Sequence, residues 1–145
     1  MAEIKPFRAL RYTEKAGDIS DCCCPPYDII SAAEREAFLR KNPHNIIKLE
    51  LPGTEDADYL RAGKTLEEWL ENGILKQDES DSIYAYEEQF TVAGKEYSFR
   101  GIVCLVKLYD FSENVVLPHE ETLSKAKEDR FRLMNATGCN ISQIY

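Results

Sequence analysis

Residues 54–73, TEDADYLRAGKTLEEWLENG, have the spacing of an amphipathic helix. The residues that share its predicted inner face recur every three or four positions: Tyr59, Gly63, Leu66 and Leu70. Trp69 lies beside this face and is expected in the core. Gly73 suits the left-handed conformation that ends many helices. We therefore predict a helix that begins at Thr54 and packs one face against a hydrophobic core.

A shorter helix is predicted before this one. Ser31-Ala32-Ala33-Glu34 has the pattern of a capping box, in which the Ser and Glu side chains each bond to the other residue's backbone N–H. Pro43 disfavours helical backbone in the residue before it. The helix is therefore expected to run from Ser31 to about Lys41.

The last helix is predicted to begin near Thr122 or Ser124 and to end near Asn135. The segment Cys139 to Tyr145 still alternates apolar and polar residues and has no polar tail, whereas natural termini are usually polar and frayed. We expect the whole chain, residues 1–145, to be a single domain and the N-terminal part of a longer protein.

Several stretches predict β-structure. Pro6 to Tyr12 alternates as a strand does, and Ile46 to Leu51 can form a second strand. Ile83 to Phe90 and Glu96 to Leu108 predict the two arms of a hairpin around Ala93-Gly94-Lys95. Strands and helices are thus interspersed along the chain.

The segment Ile102 to Val106 is apolar on both faces, which predicts a central strand covered on both sides, with Cys104 as a small buried hydrophobe.

The predicted fold class is α+β, a mixed and mostly antiparallel sheet with about three helices packed on it. A strand left without a partner would expose an open edge. Such an edge favours a homo-oligomer.

Composition excludes several classes of protein. The 145 residues carry 18 Lys and Arg against 26 Asp and Glu, a net charge of −8, which argues against nucleic-acid binding. The chain lacks an apolar run that could cross a membrane and an apolar leader after Met1. Its five Cys, an odd number, are predicted to be free thiols. We therefore expect a cytoplasmic protein without a membrane partner.

The three adjacent cysteines at residues 22–24 do not predict a metal site. Neighbouring Cys residues cannot easily direct three thiolates at one tetrahedral zinc ion, and the second Cys pair of a structural zinc site is missing. No metal ligands are predicted from these residues.

The stretch Pro118 to Arg132 concentrates side chains that could bind phosphate. It contains four cations within eight residues: Lys125, Lys127, Arg130 and Arg132. Thr122 and Ser124 add hydroxyl groups at the predicted helix start, where free N–H groups favour anions. The alternative is a solvated amphipathic helix whose charges simply face water.

Two loops supply further candidates. Asp28 follows two prolines and Tyr27, so its carboxylate is held on a stiff bend where it could act as a general base or bind Mg²⁺. The alternative is an ordinary turn in which Asp28 accepts backbone N–H bonds. His44 and Asn45 could contact a ligand, and loop capping is the alternative for them.

Taken in order, the motifs resemble the family called domain of unknown function 1015. The matching motifs are Pro6-Phe7-Arg8-Ala9, Pro25-Pro26-Tyr27-Asp28-Ile29-Ile30, Asn42-Pro43-His44-Asn45, Arg100-Gly101, Pro118-His119-Glu120, Lys127-Glu128-Asp129-Arg130 and the closing Ala136 to Tyr145. Members of that family are longer, and this chain corresponds to their N-terminal portion. Full-length members carry an Asp-Gly-His-His-Arg motif similar to that of free-serine kinases of the ParB and sulfiredoxin-like superfamily.

The resemblance implies a nucleotide-dependent phosphotransferase that uses ATP and Mg²⁺ on a small molecule such as serine. Under it we hypothesise that Lys125, Lys127 and Arg130 neutralise phosphate oxygens. Asp28 or Glu120 would orient the acceptor hydroxyl or bind Mg²⁺. His119 would donate a hydrogen bond to phosphate or orient a carboxylate. The remaining expected ligand contacts are Tyr27, Asn45 and Thr122. The alternatives are a non-catalytic nucleotide- or partner-binding module and an inactive truncated fragment.

Overall fold

The computed structural model describes residues 1–118, 121 and 123–142. The chain divides into two compact units. One, here called the hairpin unit, comprises Met1–Ala9 and Gln77–Glu121. The other, here called the helical unit, comprises Leu10–Lys76 and Thr122–Tyr145. The expectation of a single domain stays a prediction.

The helical unit contains the α-helices of the described chain. They are α1 (Ile19–Cys22), α2 (Ala32–Lys41), α3 (Ile47–Glu50), α4 (Asp56–Glu71) and α5 (Ser124–Thr137). A two-stranded sheet of β2 (Leu10–Tyr12) and β3 (Leu75–Gln77) accompanies them. None of the described helices combines the length and the apolar character needed to span a membrane.

The core of the helical unit is built on α4. The buried face of α4 comprises Tyr59, Ala62, Gly63, Leu66 and Trp69. Leu49 of α3, Ile74, Leu75 of β3 and Leu133 of α5 pack into the same cluster. Leu70 is 37 % exposed and lies outside it. The predicted helix and the core position of Trp69 are therefore confirmed, with the helix beginning at Asp56, two residues after Thr54.

Gly63 sets how closely α4 and α5 approach each other. A Cβ atom at this position would clash with the backbone carbonyl oxygen of Ala136 in α5. Backbone carbonyls cannot swing aside as a flexible side chain can, so only glycine allows this separation.

The other predicted helices are also confirmed. Ser31 Oγ accepts a hydrogen bond from the Glu34 amide, and the Glu34 carboxylate accepts one from the Ser31 amide, which completes the capping box of α2. The last helix, α5, ends two residues beyond Asn135, and Gly138 follows it with a φ of 64°.

The strand predicted over Ile46 to Leu51 is wrong, because this segment forms the short helix α3. The Asn45 side-chain oxygen accepts a hydrogen bond from the Ile47 amide at 3.0 Å and so caps a helical turn. The Ile46 amide donates to the Cys22 carbonyl at 2.7 Å. A segment as short as Ile46 to Leu51 suits a buried helix as well as a strand. Here the cap provided by the Asn45 side chain favours the helix.

The hairpin unit contains β4 (Tyr84–Val92) and β5 (Lys95–Val103), paired antiparallel as predicted. At the turn, Ala93 and Gly94 have φ angles of 50° and 76°. Two positive φ values at the centre of a two-residue loop match the twist of the flanking strands.

The remaining strands of the hairpin unit are β1 (Ile4–Lys5) and β6 (Leu105–Val106), which pair antiparallel. The strand predicted from Pro6 to Tyr12 is interrupted. Phe7 makes only an isolated bridge to Ser82, and regular pairing resumes at β2. Proline has no N–H to donate to a ladder, which is consistent with the break at Pro6.

The prediction of a central, doubly covered strand at Ile102 to Val106 is wrong. Ile102 and Leu105 are 61 % and 53 % exposed, and the segment divides between β5 and β6 at a half-buried Cys104. The α+β class is confirmed, and the described strands form three two-stranded sheets. Covering both faces of a strand requires more neighbouring elements than these small sheets have.

We expect Gly63→Ala to destabilise the chain by about 1–3 kcal/mol, the usual cost of overpacking. The sign is diagnostic, because Gly to Ala in an unconstrained helix interior stabilises by up to about 1 kcal/mol. Urea unfolding followed by circular dichroism measures the change. A rise in the free energy of unfolding would show that α4 and α5 are not held at this separation.

Candidate functional site

The proline bend makes contact with α5. After Pro25 and Pro26, a 3₁₀ turn spans Tyr27–Ile29, in which the Ile29 amide donates to the Pro26 carbonyl at 3.2 Å. The Tyr27 ring is half-buried, and the Arg130 guanidinium carbon lies 3.9 Å from its centroid. This stacking is a cation–π contact. It brings the bend that carries Asp28 against the helix that carries the predicted cations.

Arg130 also ties α5 to α3. Its Nη1 donates to Glu50 Oε1 at 3.1 Å, and its Nη2 donates to the Glu50 carbonyl oxygen at 3.0 Å. Its Nε donates to Asp129 Oδ2 at 2.8 Å. The exposed fractions of the Arg130 and Glu50 side chains are 23 % and 8 %. A carboxylate this deeply buried requires a charged partner, so Arg130 has a structural role here.

Asp129 continues the network toward α4. Tyr59 Oη donates a short hydrogen bond to Asp129 Oδ1. Burial and, after it, the Asp129 carboxylate raise the pKa of Tyr59 to about 12. The Arg132 guanidinium carbon lies 4.4 Å from the Tyr59 ring centroid, and Arg132 pairs with Asp56 at the start of α4. Tyr59 therefore stays protonated at neutral pH and acts as a hydrogen-bond donor.

The first turn of α5 contains cations without carboxylates. Lys125 and Lys127 are both exposed, and no acidic residue lies in this turn. Leu123 precedes the helix, and its side chain does not cap the first turn. A helix start attracts anions through its dipole and its backbone N–H groups.

Asn45 is fully buried and its side chain is engaged with backbone. Its Nδ2 donates to the carbonyl oxygens of Asp21 and Cys23 at 2.8 and 2.9 Å. Together with the cap on Ile47, these bonds occupy both ends of the amide. This is the loop-capping alternative for Asn45, while its role in ligand contact stays a prediction. The His44 carbonyl oxygen accepts a hydrogen bond from Tyr12 Oη at 2.8 Å.

The thiols next to the bend are poorly suited to nucleophilic chemistry. Burial first, then the Glu50 carboxylate and the Cys23 thiol, raise the pKa of Cys24 to about 11. Burial also raises the pKa of Cys22, whose S–H donates to the Ala16 carbonyl at 3.6 Å. The thiolate is the reactive form, so a raised pKa makes these two groups inert at neutral pH.

The structure brings together some of the predicted site residues. Tyr27 and Arg130 are in contact, Asp28 is exposed next to Tyr27, and Lys127 lies one turn before Arg130 on α5. His119, Glu120 and Thr122 lie outside the described residues.

Sequence reasoning missed Glu50, Tyr59 and Asp129. Glu50 has one available signal, since it is a carboxylate between Leu49 and Leu51. Tyr59 is predicted in the core without a partner for its hydroxyl group. Asp129 lies within the charged stretch, and no role of its own is predicted for it.

The described residues contain no large cluster of metal ligands. Within residues 1–118, 121 and 123–142, no three His, Cys, Asp or Glu side chains are grouped to hold a metal ion. Mg²⁺ is usually held by only one or two carboxylates together with substrate phosphates, so the predicted role of Asp28 in binding it stays a prediction.

The chain was compared with known proteins. A family model described as a protein of unknown function, DUF1015, matches residues 4–145. No curated protein and no solved structure matches. The match spans the bend, α3 and α5, so it includes every residue of the network described above.

Replacing Arg130 by Met is expected to lower the free energy of unfolding by about 3–5 kcal/mol, because it leaves the Glu50 carboxylate buried without its charged partner, with Ser142 Oγ still donating a short hydrogen bond to it. Arg61→Met is the matched control, since Arg61 pairs with Asp58 at a side-chain exposure of 63 % and should matter little. Urea unfolding measures both. The double variant Arg130→Met, Glu50→Leu should recover part of the loss, and no recovery would argue against an unpaired carboxylate as the cause.

Iodoacetamide is expected to alkylate Cys24 slowly at pH 8. A pKa of about 11 leaves roughly one Cys24 thiol in a thousand ionised at that pH. Peptide fragmentation by mass spectrometry can follow Cys24 separately from Cys23, and the urea-unfolded chain provides the reference rate. The rate should rise about tenfold per pH unit up to pH 10. A plateau below pH 9 would contradict the raised pKa.

Proposed function

The chain belongs to the DUF1015 family, and from that premise we propose that it is part of a nucleotide-dependent phosphotransferase acting on a small molecule with a hydroxyl group. An amino acid such as serine is the substrate class that the motif resemblance suggests. The supporting observation is the contact of Arg130 with Tyr27, which lies beside Asp28.

We assign phosphate binding to the start of α5. Lys125 and Lys127 are exposed cations in the first turn of the helix, and phosphate oxygens are well matched by cations together with helix N–H groups. Arg130 is a weaker candidate, because its guanidinium already bonds to Glu50 and Asp129. In this proposal Arg130 is a positioning residue that holds the bend against α5.

Asp28 is assigned to the acceptor hydroxyl. Its carboxylate would take the hydroxyl proton as the substrate oxygen forms a bond to the terminal phosphorus of the nucleotide. The bond from that phosphorus to the bridging oxygen breaks, and a nucleoside diphosphate leaves. Asp28 is exposed on a bend stiffened by two prolines, so a substrate can reach it.

The proposed cofactors are ATP and Mg²⁺, and one carboxylate together with the nucleotide phosphates is enough to hold this metal ion. Asp28 or Glu120 would supply that carboxylate. His119, Glu120 and Thr122 keep their predicted roles as hydrogen-bonding partners of the phosphate or the acceptor. We also propose that the protein is cytoplasmic and that an open strand edge joins it into a homo-oligomer.

A second candidate function is a non-catalytic nucleotide-binding module. Arg130 and Arg132 both pair with carboxylates of the fold. On the described part of α5 this leaves two lysines to bind the charged phosphate chain, which favours a binding module. Catalysis of phosphoryl transfer depends mainly on neutralising the charge that develops on the phosphate oxygens. A module that only binds needs fewer cations.

A nucleotide-consumption assay separates these two candidates. The protein in the form that the cell makes is incubated with ATP and a panel of amino acids and other hydroxyl metabolites. Hydroxyl-dependent consumption that Asp28→Asn abolishes supports the phosphotransferase. If the protein binds ATP but does not consume it with any compound of the panel, the result supports the binding module.

Lys127→Ala is expected to weaken ATP binding about tenfold, the effect of losing one hydrogen bond to a charged group. Lys64→Ala is the matched control, because Lys64 is an exposed lysine on α4. Isothermal titration calorimetry measures both, with Lys125→Ala as a second test of the same helix start. Unchanged affinity in both α5 variants would exclude phosphate binding at this place.

A further inference from the structure

One face of the β4–β5 hairpin is aromatic. The strand register pairs Phe90 with Tyr97 and Glu88 with Phe99, and side chains alternate between faces along each strand. The apolar side chains of this face are those of Tyr84, Tyr86, Phe90, Val92, Tyr97, Phe99 and Val103. The part from Tyr86 to Phe99, which comprises Tyr86, Phe90, Val92, Tyr97 and Phe99, is here called the aromatic face. Ring contacts agree with the shared face: the Phe90 and Tyr97 centroids are 5.7 Å apart and stacked, and those of Tyr86 and Phe99 are 6.4 Å apart.

Four of the five side chains of the aromatic face are exposed to solvent, and Tyr86 is half-buried. The exposed fractions are 44 % for Phe90, 54 % for Val92, 43 % for Tyr97 and 52 % for Phe99. Between Glu87 and Arg100 the opposite face is polar, and these two residues pair across the strands at 3.2 Å. A two-stranded hairpin is marginally stable alone, and a contiguous exposed apolar patch is typical of an interaction surface.

The charges on the aromatic face balance. Its charged residues are Glu88 and Lys95, whose side chains contact Tyr86 and Tyr97 of the same face. Glu88 lies two residues before Phe90, and Lys95 pairs with Val92, two residues after Phe90. One acid and one base are therefore placed on either side of the central Phe90–Tyr97 pair.

We propose that the occupant of the aromatic face is a second copy of this chain. A twofold interface must be self-complementary, so each residue meets what its symmetry mate presents. Consider two hairpins stacked with their aromatic faces together. The twofold axis lies midway between them, runs perpendicular to the strands and passes over the Phe90–Tyr97 pair. It places Glu88 of one copy at the level of Lys95 of the other. Both ion pairs then form, and the stacked aromatic pairs meet at the centre.

Packing distances agree with this arrangement. Sheets stack about 10 Å apart, within the combined reach of a Glu and a Lys side chain. Each chain carries a net charge of −8, so two copies repel overall, and a face with balanced charge offers them a place to associate. The face is one hairpin wide, which is at the small end of interface sizes. We therefore expect a dimer that dissociates on dilution.

Sedimentation velocity over a wide range of chain concentrations tests the proposal. Phe90→Glu should raise the dissociation constant by at least about 30-fold, because it removes a ring of the central pair and sets two like charges at the twofold axis. Gln89→Glu is the matched control, because it adds the same charge to the preceding residue of β4 on the polar face, and it should leave the constant within about threefold. A wild-type chain that is monomeric at every concentration overturns the proposal, as does equal dimer loss in the two variants.

A charge exchange tests the twofold pairing even if Phe90→Glu fails to fold. Glu88→Lys and Lys95→Glu each set like charges opposite one another in a homodimer, and each should weaken association about tenfold. An equal mixture of the two variants restores opposite charges at both contacts, so it should form a heterodimer as stable as the wild-type dimer. A mixture that associates no better than either variant alone overturns the proposed occupant, even if the wild type dimerises.

Discussion

The ion pair between Arg130 and Glu50 is the interaction on which the candidate site depends. These residues are 80 positions apart, and their contact joins α5 to α3. A buried carboxylate without a partner would be costly, so the pair restricts how the two helices can pack. The Tyr27 ring on the other side of the guanidinium adds a third segment. One side chain thus connects the bend, the short helix and the last helix.

This arrangement divides the cations of α5 between two tasks. Arg130 and Arg132 bond to carboxylates of the fold, to Glu50 and Asp129 in one case and to Asp56 in the other. Lys125 and Lys127 are exposed in the first turn of the helix, where we propose that they bind phosphate. Arginine suits the first task because its planar fork can bond to several acceptors at once, whereas lysine acts as a compact point charge.

The two units differ in what stabilises them. The helical unit has a core in which Leu66 and Trp69 of α4 are about 5 % exposed. The hairpin unit depends on strand register, a tight turn and ring contacts within one face. Local pairing of this kind specifies a shape without burying much apolar surface, and the aromatic face is the surface that it leaves exposed.

Features that depend on neighbouring residues were predictable from the sequence alone. The Ser31–Glu34 capping box, the apolar spacing of α4 and the turn at Ala93 and Gly94 each arise within a few residues, so local pattern was enough. The helix from Ile47 to Glu50 was not predictable in this way, because so short a segment suits a helix or a strand. The hydrogen bond from the Ile46 amide to the distant Cys22 carbonyl and the cap from the Asn45 side chain favour the helix. The site shows the same limit. The sequence identified the types of residue in it, but only tertiary packing decided that Arg130 pairs with Glu50. The free energy of this pairing comes from burying together two charges that are far apart in the chain, which no local pattern records.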